Sequence, residues 1–170
     1  VRRVLALAGA PAGAVERFIH GTTVATNAVL EQKGAVTAIL TTEGFEDVLE
    51  LGRMKRSRMY DLDMDPETPT FLAPRRRRIG IRERLDARGA VLTPLDEEQV
   101  RAAVAGLRDQ GVQAIAVCYL FSFVNPAHER RTREICQAVA QESSVSLSSE
   151  VDPTFREYER LCVTAFDAYV

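Results

Sequence analysis

The 170-residue sequence has no tryptophan, only two histidines and only three cysteines. Two histidines leave little for a zinc site, and no Ser-His-Asp or Cys-His arrangement can be assembled from their spacing. The cysteines, Cys118, Cys136 and Cys162, are far apart, odd in number and embedded in apolar patterns. They read as small core residues in a reducing compartment, the cytoplasm, and not as a disulfide or metal framework. No apolar run approaches the roughly 20 residues that span a bilayer, and no signal peptide is visible. A formal net charge of -2 argues against a wholesale nucleic-acid binder. No membrane partner, nucleic-acid partner or metal ligand set is therefore expected. What is present is ordinary for a globular domain: 46% apolar and 27% charged residues, with room for one core.

The stretch that organises the chain is Phe18 to Gly34, FIHGTTVATNAVLEQKG. An apolar lead-in reaches His20, Gly21 permits a sharp turn, Thr22 and Thr23 follow, and a helical pattern runs from Val24 to a stop at Gly34. Strand, tight turn and helix leave backbone N–H groups of the first helical turn unpaired beside the positive end of the helix dipole, an anion site. The plain alternative is that Thr22 or Thr23 is only an N-cap. A second turn of this kind, Thr41-Thr42-Glu43-Gly44, lies between the apolar run 35–41 and a helical stretch from Phe45 to Leu51. On one sheet edge, two such turns would place their polar groups in one crevice.

Three segments follow from the pattern. Residues 1–52 form the strand-turn-helix part, and residues 53–95 form a basic loop and β-hairpin insertion. Residues 96–170 form a second α/β portion, cut at its last helix. The stretch from Arg53 to Arg88 holds 11 of the 22 basic residues, including the run Arg75 to Arg78, which reads as a solvated face or an acidic-partner surface. Alternation about a turn at Asp86 to Gly89 predicts the hairpin. Beyond it, Thr93 or Asp96 caps a helix ending at Gly111, and the run from Val112 to Phe121 is a buried strand. Asn125 and Pro126 then start a helix with Thr132, Ile135, Cys136 and Val139 inward, and a short strand from Val145 to Ser149 precedes a last helix near Phe155. The alternation predicts an α/β fold with a mostly parallel sheet flanked by helices. On the last helix, Val163, Phe166 and Val170 form a second apolar stripe that needs a partner, so an oligomer or a longer chain is expected.

HGTTVATNAVLEQKGA, TTEGFEDVLELGR, YDLDMDPETP, RRRRIGIRERLDARGAVLTPLDEE, the run from Gly111 to Glu129 and SSEVDPTFREYER, in this order, resemble the amino-terminal region of the hydantoinase A / 5-oxoprolinase family. The resemblance covers nearly the whole chain. It implies part of an actin-like (ribonuclease H-like) ATPase fold with an inserted β-hairpin. It also implies an enzyme that uses ATP, with Mg, to phosphorylate a cyclic-amide carbonyl oxygen before ring opening, or, in acetone carboxylase relatives, to activate a ketone for carboxylation. A non-catalytic α/β interaction module is the alternative of a different class. His20, Gly21, Thr22, Thr23 and Asn27 match the family turn and are the implied phosphate- or substrate-binding residues. Glu157 to Arg160 match a Glu-Tyr-Glu-Arg segment, read here as dipole and surface pairing. The implied partners are a small cyclic amide and the remainder of the protein or a hydantoinase B-type subunit. Two departures stand out: no Asp-x-Gly-Gly-Thr segment occurs in the chain, and Cys162 and Asp167 replace an expected hydroxyl residue and asparagine. The 170-residue piece is expected to be inactive by itself.

Overall fold

The computed structural model describes residues 23–55 and 67–170, together with Leu5, Leu7, Gly9, Pro11, Gly13, Arg58, Tyr60 and Asp63. Two mostly apolar runs, 35–41 and 112–121, become the centre of the fold. Strand β1 (Thr37–Thr42) is buried along its whole length, as a strand covered on both faces must be. In chain order come helix α1 (Val24–Leu30), β1, the short helix α2 (Val48–Leu51) and strands β2 (Arg78–Ile81), β3 (Arg84–Leu85) and β4 (Val91–Thr93). Then follow α3 (Glu97–Asp109), β5 (Ala114–Cys118), α4 (Ala127–Val139), β6 (Ser144–Leu147), the single turn α5 (Ser148–Val151) and α6 (Glu157–Tyr169). The main sheet has the order β2-β1-β5-β6. All three of its pairings are parallel, with Thr37 opposite Ala114 and Ile39 opposite Arg78. This is the mostly parallel, helix-flanked sheet that the alternation predicts.

Alternate residues of the strands feed two cores. Ala38, Leu40, Ile115 and Val117 pack with Val100, Val104 and Leu107 of α3 and Ile135 and Cys136 of α4. Ile39, Ala114, Ala116 and Cys118 pack with Leu161, Ala165, Ala168 and Tyr169 of α6 and with Leu49 and Leu72. Burying each Leu or Ile of these clusters contributes about 1.5–3 kcal/mol. Helix α3 is capped as its sequence requires: Asp96 Oδ1 accepts from Gln99 N at 3.1 Å, and the chain leaves through Gly111 at φ +73°.

The hairpin is shorter than the alternation suggests. Only β3 and β4 pair antiparallel, around a turn in which Asp86 Oδ1 accepts from the N–H groups of Arg88 and Ala90, both at 2.8 Å. Arg78–Ile81 instead joins the edge of the main sheet beside β1. The arginine run is absorbed locally as well: Arg78 is buried and donates to Ala73 O at 2.8 Å and to Glu50 at 3.0 Å, while Arg75 pairs with Asp47. The first helix also stops early. It ends at Leu30, Gln32 takes a left-handed φ of +53°, and Gly34 serves a different purpose from a helix stop. A Cβ at Gly34 would lie 2.3 Å from the Tyr169 ring, so the segment after α1 and the end of α6 approach this closely only because this residue has none. Among the described residues, no helix is long and apolar enough to cross a membrane.

Candidate functional site at the carboxyl edge of the sheet

Because the four strands of the main sheet are parallel, their carboxyl ends share one edge, where open α/β sheets bind ligands. Three charged side chains converge there, all buried. Glu129, in the first turn of α4, accepts from Tyr119 N at 3.0 Å and Ser148 Oγ at 2.6 Å through one oxygen, and from Ser149 N at 2.9 Å through the other. It thereby joins the ends of β5 and β6. Glu83 accepts the Thr42 hydroxyl proton on one oxygen and faces His128 Nδ1 at 2.8 Å with the other. Thr42 Oγ1 in turn accepts from Leu120 N at 3.0 Å. Arg160, one turn into α6, donates to Tyr119 O at 2.7 Å and Thr154 O at 3.0 Å, with its guanidinium carbon 5.2 Å from the Phe123 ring centroid.

Nearly all their polar atoms are bonded within the fold, with Arg160 Nε the buried exception, so they act as a frame and not as free acids or bases. Thr41 belongs to the frame too, donating to Cys118 O at 3.0 Å. The turn after β1 therefore spends both hydroxyls inside the fold and presents only Glu43 and Gly44, exposed at its tip. The β5–α4 loop is held just as firmly: Ser122 meets Ser148 at 3.0 Å, Asn125 Nδ2 donates to Gly89 O at 2.8 Å, and Phe121 sits at φ +57°. A non-glycine residue in that left-handed region is uncommon and persists when its surroundings over-determine it. A cavity of about 10 Å³ beside Thr41, Cys118, Glu157 and Arg160 has room for one water. A cleft of about 600 Å³ lies at the opposite edge, between Arg108, Val139 and Ser143. That edge collects helix carboxyl ends, so chemistry and not size favours the carboxyl edge of the strands.

Of the residues singled out in the sequence, His20, Gly21 and Thr22 lie outside the described residues. Thr23 and Asn27 are described and exposed. Thr23 occupies the N-cap position of α1 with φ -106° and ψ 20°, and its hydroxyl makes no capping hydrogen bond. Thr23 is thus the N-cap of α1 by position, with a hydroxyl that does not close the first turn. Its carbonyl accepts from Asn27 N at 2.8 Å, while the hydroxyl of Thr23 and the amide of Asn27 face outward. Among the described residues, no cluster of three His, Cys, Asp or Glu side chains could hold a metal ion.

Sequence reasoning missed three functional-edge residues. His128 reads as a surface residue and Arg160 as a surface pairing partner, and both are buried, as is Glu129. A signal existed for α4: His128 and Glu129 stand one turn before Thr132 on the face that continues to Ile135 and Cys136. Glu157 and Glu159 do behave as expected, the first exposed and the second taking a bond from Arg53 Nε at 2.8 Å. The cysteines are free, and burial pushes the Cys136 thiol up to about 12 and that of Cys118 upward as well, so both are inert.

The sequence pattern described as the hydantoinase/oxoprolinase N-terminal region matches residues 1–140. The solved structure of the ATP-dependent caprolactamase from Pseudomonas jessenii superposes with a TM-score of 0.81 at 34% identity, over 99% of this chain and 26% of its own. The acetophenone carboxylase gamma subunit of Aromatoleum aromaticum is 37% identical over 163 residues, which is 89% of this chain and 22% of that protein. 5-Oxoprolinase 1 of Arabidopsis thaliana is 29% identical over 94% of this chain and 14% of its own length. This chain therefore spans about a quarter or less of these relatives, within the fold that the resemblance implied. By the residues matched and the superposition, it belongs to the hydantoinase/oxoprolinase family.

Proposed function

We propose that this chain is the amino-terminal region of an ATP-dependent cyclic-amide hydrolase of the hydantoinase/5-oxoprolinase type, which phosphorylates the substrate carbonyl oxygen before ring opening. The observation that carries the reading is the family match over residues 1–140 together with 34% identity to an ATP-dependent caprolactamase, and the exposed Thr23 at the head of α1, without a capping bond, is in keeping with it. An amide oxygen is a poor leaving group, and ATP when bound supplies the phosphoryl group that turns it into a good one. The protein's part is to position reactants and to place donors where charge develops. The hydroxyl of Thr23 and the amide of Asn27 donate to phosphate or substrate oxygens, together with His20, Gly21 and Thr22 of the same turn. The frame built on Glu129, Glu83 and Arg160 keeps the sheet edge fixed while they do so. Magnesium, expected with ATP, would take its ligands outside the described residues, and no step here depends on it.

A second reading, ATP-dependent ketone activation for carboxylation, is favoured by the 37% identity to a subunit of acetophenone carboxylase. The remainder of the same polypeptide or a hydantoinase B-type subunit completes the enzyme, which acts in the cytoplasm. The test is ATP-dependent ring opening of 5-oxoproline, hydantoin and caprolactam by the polypeptide encoded in the natural gene, with and without Thr22→Ala plus Thr23→Ala. The double change should lower turnover by about 10²-fold or more, the usual cost of losing a transition-state donor, with the far-UV spectrum unchanged. Carboxylation of a ketone without ring opening selects the second reading; no ATP binding at all selects a non-catalytic module.

A further inference from the structure

Three buried side-chain atoms meet no partner among the described residues: Arg77 Nε, Ser149 Oγ and Arg160 Nε. Arg77 and Ser149 are half-buried residues, which solvent reaches after a small movement. Arg160 is different. It is 1% exposed, and its two terminal nitrogens are committed to carbonyls, Nη1 to Thr154 O at 3.0 Å and Nη2 to Tyr119 O at 2.7 Å. These bonds fix the guanidinium plane, so Nε–H cannot swing toward another acceptor without breaking them. A buried donor of a charged group left unpaired is costly, and native folds meet it with ordered water.

The cavity of about 10 Å³ lined by Arg160 supplies the place. It lies where the ends of β1 and β5 meet the first turn of α6, between Thr41, Cys118, Glu157 and Leu161. Its size admits one water and nothing larger. Its charges decide between a water and an ion: the guanidinium repels a cation, and Glu157 repels an anion. The Cys118 thiol is a weak acceptor, and burial pushes its pKa up, so it stays neutral. Thr41 is a better one, because it gives its hydroxyl proton to Cys118 O at 3.0 Å and keeps its lone pairs.

We propose that this cavity is the binding site of one structural water, which accepts from Arg160 Nε and donates to Thr41 Oγ1 and the Glu157 carboxylate. Three bonds are the usual number for an internal water. The water joins the first turn of α6 to the end of β1, just before the exposed Glu43 and Gly44, and completes the buried frame where no protein atom does. The site is independent of which reaction the enzyme performs.

The test is a crystal structure of the polypeptide encoded in the natural gene, at a resolution that shows ordered water. The expected result is a peak about 2.7–3.2 Å from Arg160 Nε, refining as water, with a second bond to Thr41 or Glu157. A cavity without a peak, an Nε bonded to a protein atom, or an ion identified by its anomalous scattering each overturns the proposal. Val48→Ile, which adds one methyl beside the cavity, gives a second readout. Filling a dry apolar void stabilises, and would raise the melting temperature by about 2 °C or more. A cavity holding a bonded water gives no such gain, because the methyl either displaces the water and strands Nε–H or is kept out. The variant should therefore melt at or below the wild-type temperature, and a rise overturns the proposal.

Discussion

The two faces of the main sheet are covered by different means. One face carries two 13-residue helices, α3 and α4, braced across their solvent side by Arg131, which donates to both oxygens of Glu97 at 2.8 Å. The other carries α6, the four-residue α2 and a 3-10 turn, and it relies on particular contacts: a buried Arg160, a Thr164 hydroxyl turned back on Arg160 O at 2.7 Å, and a glycine pressed against Tyr169. The first face is held by generic amphipathic packing, which tolerates change. The second is held by close fits that do not.

The sharpest way to break the frame between the two faces is Glu129→Ala. It strips the acceptor from Tyr119 N, Ser148 Oγ and Ser149 N in a buried place. The expected loss is about 3 kcal/mol or more, read as a drop of roughly 6–12 °C in Tm; a drop under a degree or two would show that the network relaxes freely. Next comes a paired substitution of glycines. Gly34→Ala drives a methyl into Tyr169 and should cost about 1–3 kcal/mol. Gly106→Ala, on the exposed side of α3 with nothing within 4 Å of its Cβ, should stabilise by about 0.5–1 kcal/mol. Denaturant midpoints of the two variants should move in opposite directions, and movement in the same direction would erase the contrast between the faces.

The smallest effect concerns acid. The Arg131 hydrogen bonds and charge hold the Glu97 carboxyl down at about 2, below the ordinary 4.5. A carboxyl depressed on folding contributes stability that is present above its unfolded value and is lost as pH falls toward its folded value. Melting of the wild type should therefore decline between pH 4.5 and pH 2 more steeply than that of Arg131→Gln. Superimposable profiles would show that this exposed brace contributes nothing measurable, as many surface pairs do not.

Much of the scaffold was legible. The runs that became β1 and β5 are apolar but for threonines in the first and Gln113 in the second, a pattern that over so few residues suits a strand covered on both sides. Asp96 and the Asp86 turn declare themselves by side chains that bond their own backbone. Arg78–Ile81 was not legible as a sheet strand, because alternation with charge describes an edge strand and a hairpin arm equally well. Arg160 was illegible for another reason, and helical spacing gave only the inward face of His128 and Glu129: a charged residue type says nothing of the carbonyls, hydroxyls and carboxylates that satisfy it, and those come from distant parts of the chain. The candidate site divides the same way. The helix start at Thr23 could be inferred from residue types, whereas its missing cap bond depends on backbone angles that no spacing reveals.

The central pairing of the sheet has a cost during synthesis. Thr37 to Thr41 register with Ala114 to Cys118, so a strand destined for full burial emerges well before its inner partner exists. At the usual rate of about 5–20 residues per second, the nascent chain carries that strand for several seconds with only the edge partner β2 arriving in between. Parallel pairings of such long separation form slowly and leave sticky edges waiting. Expression yield of this region should thus respond to chaperone supply and to growth temperature more than its finished stability would suggest.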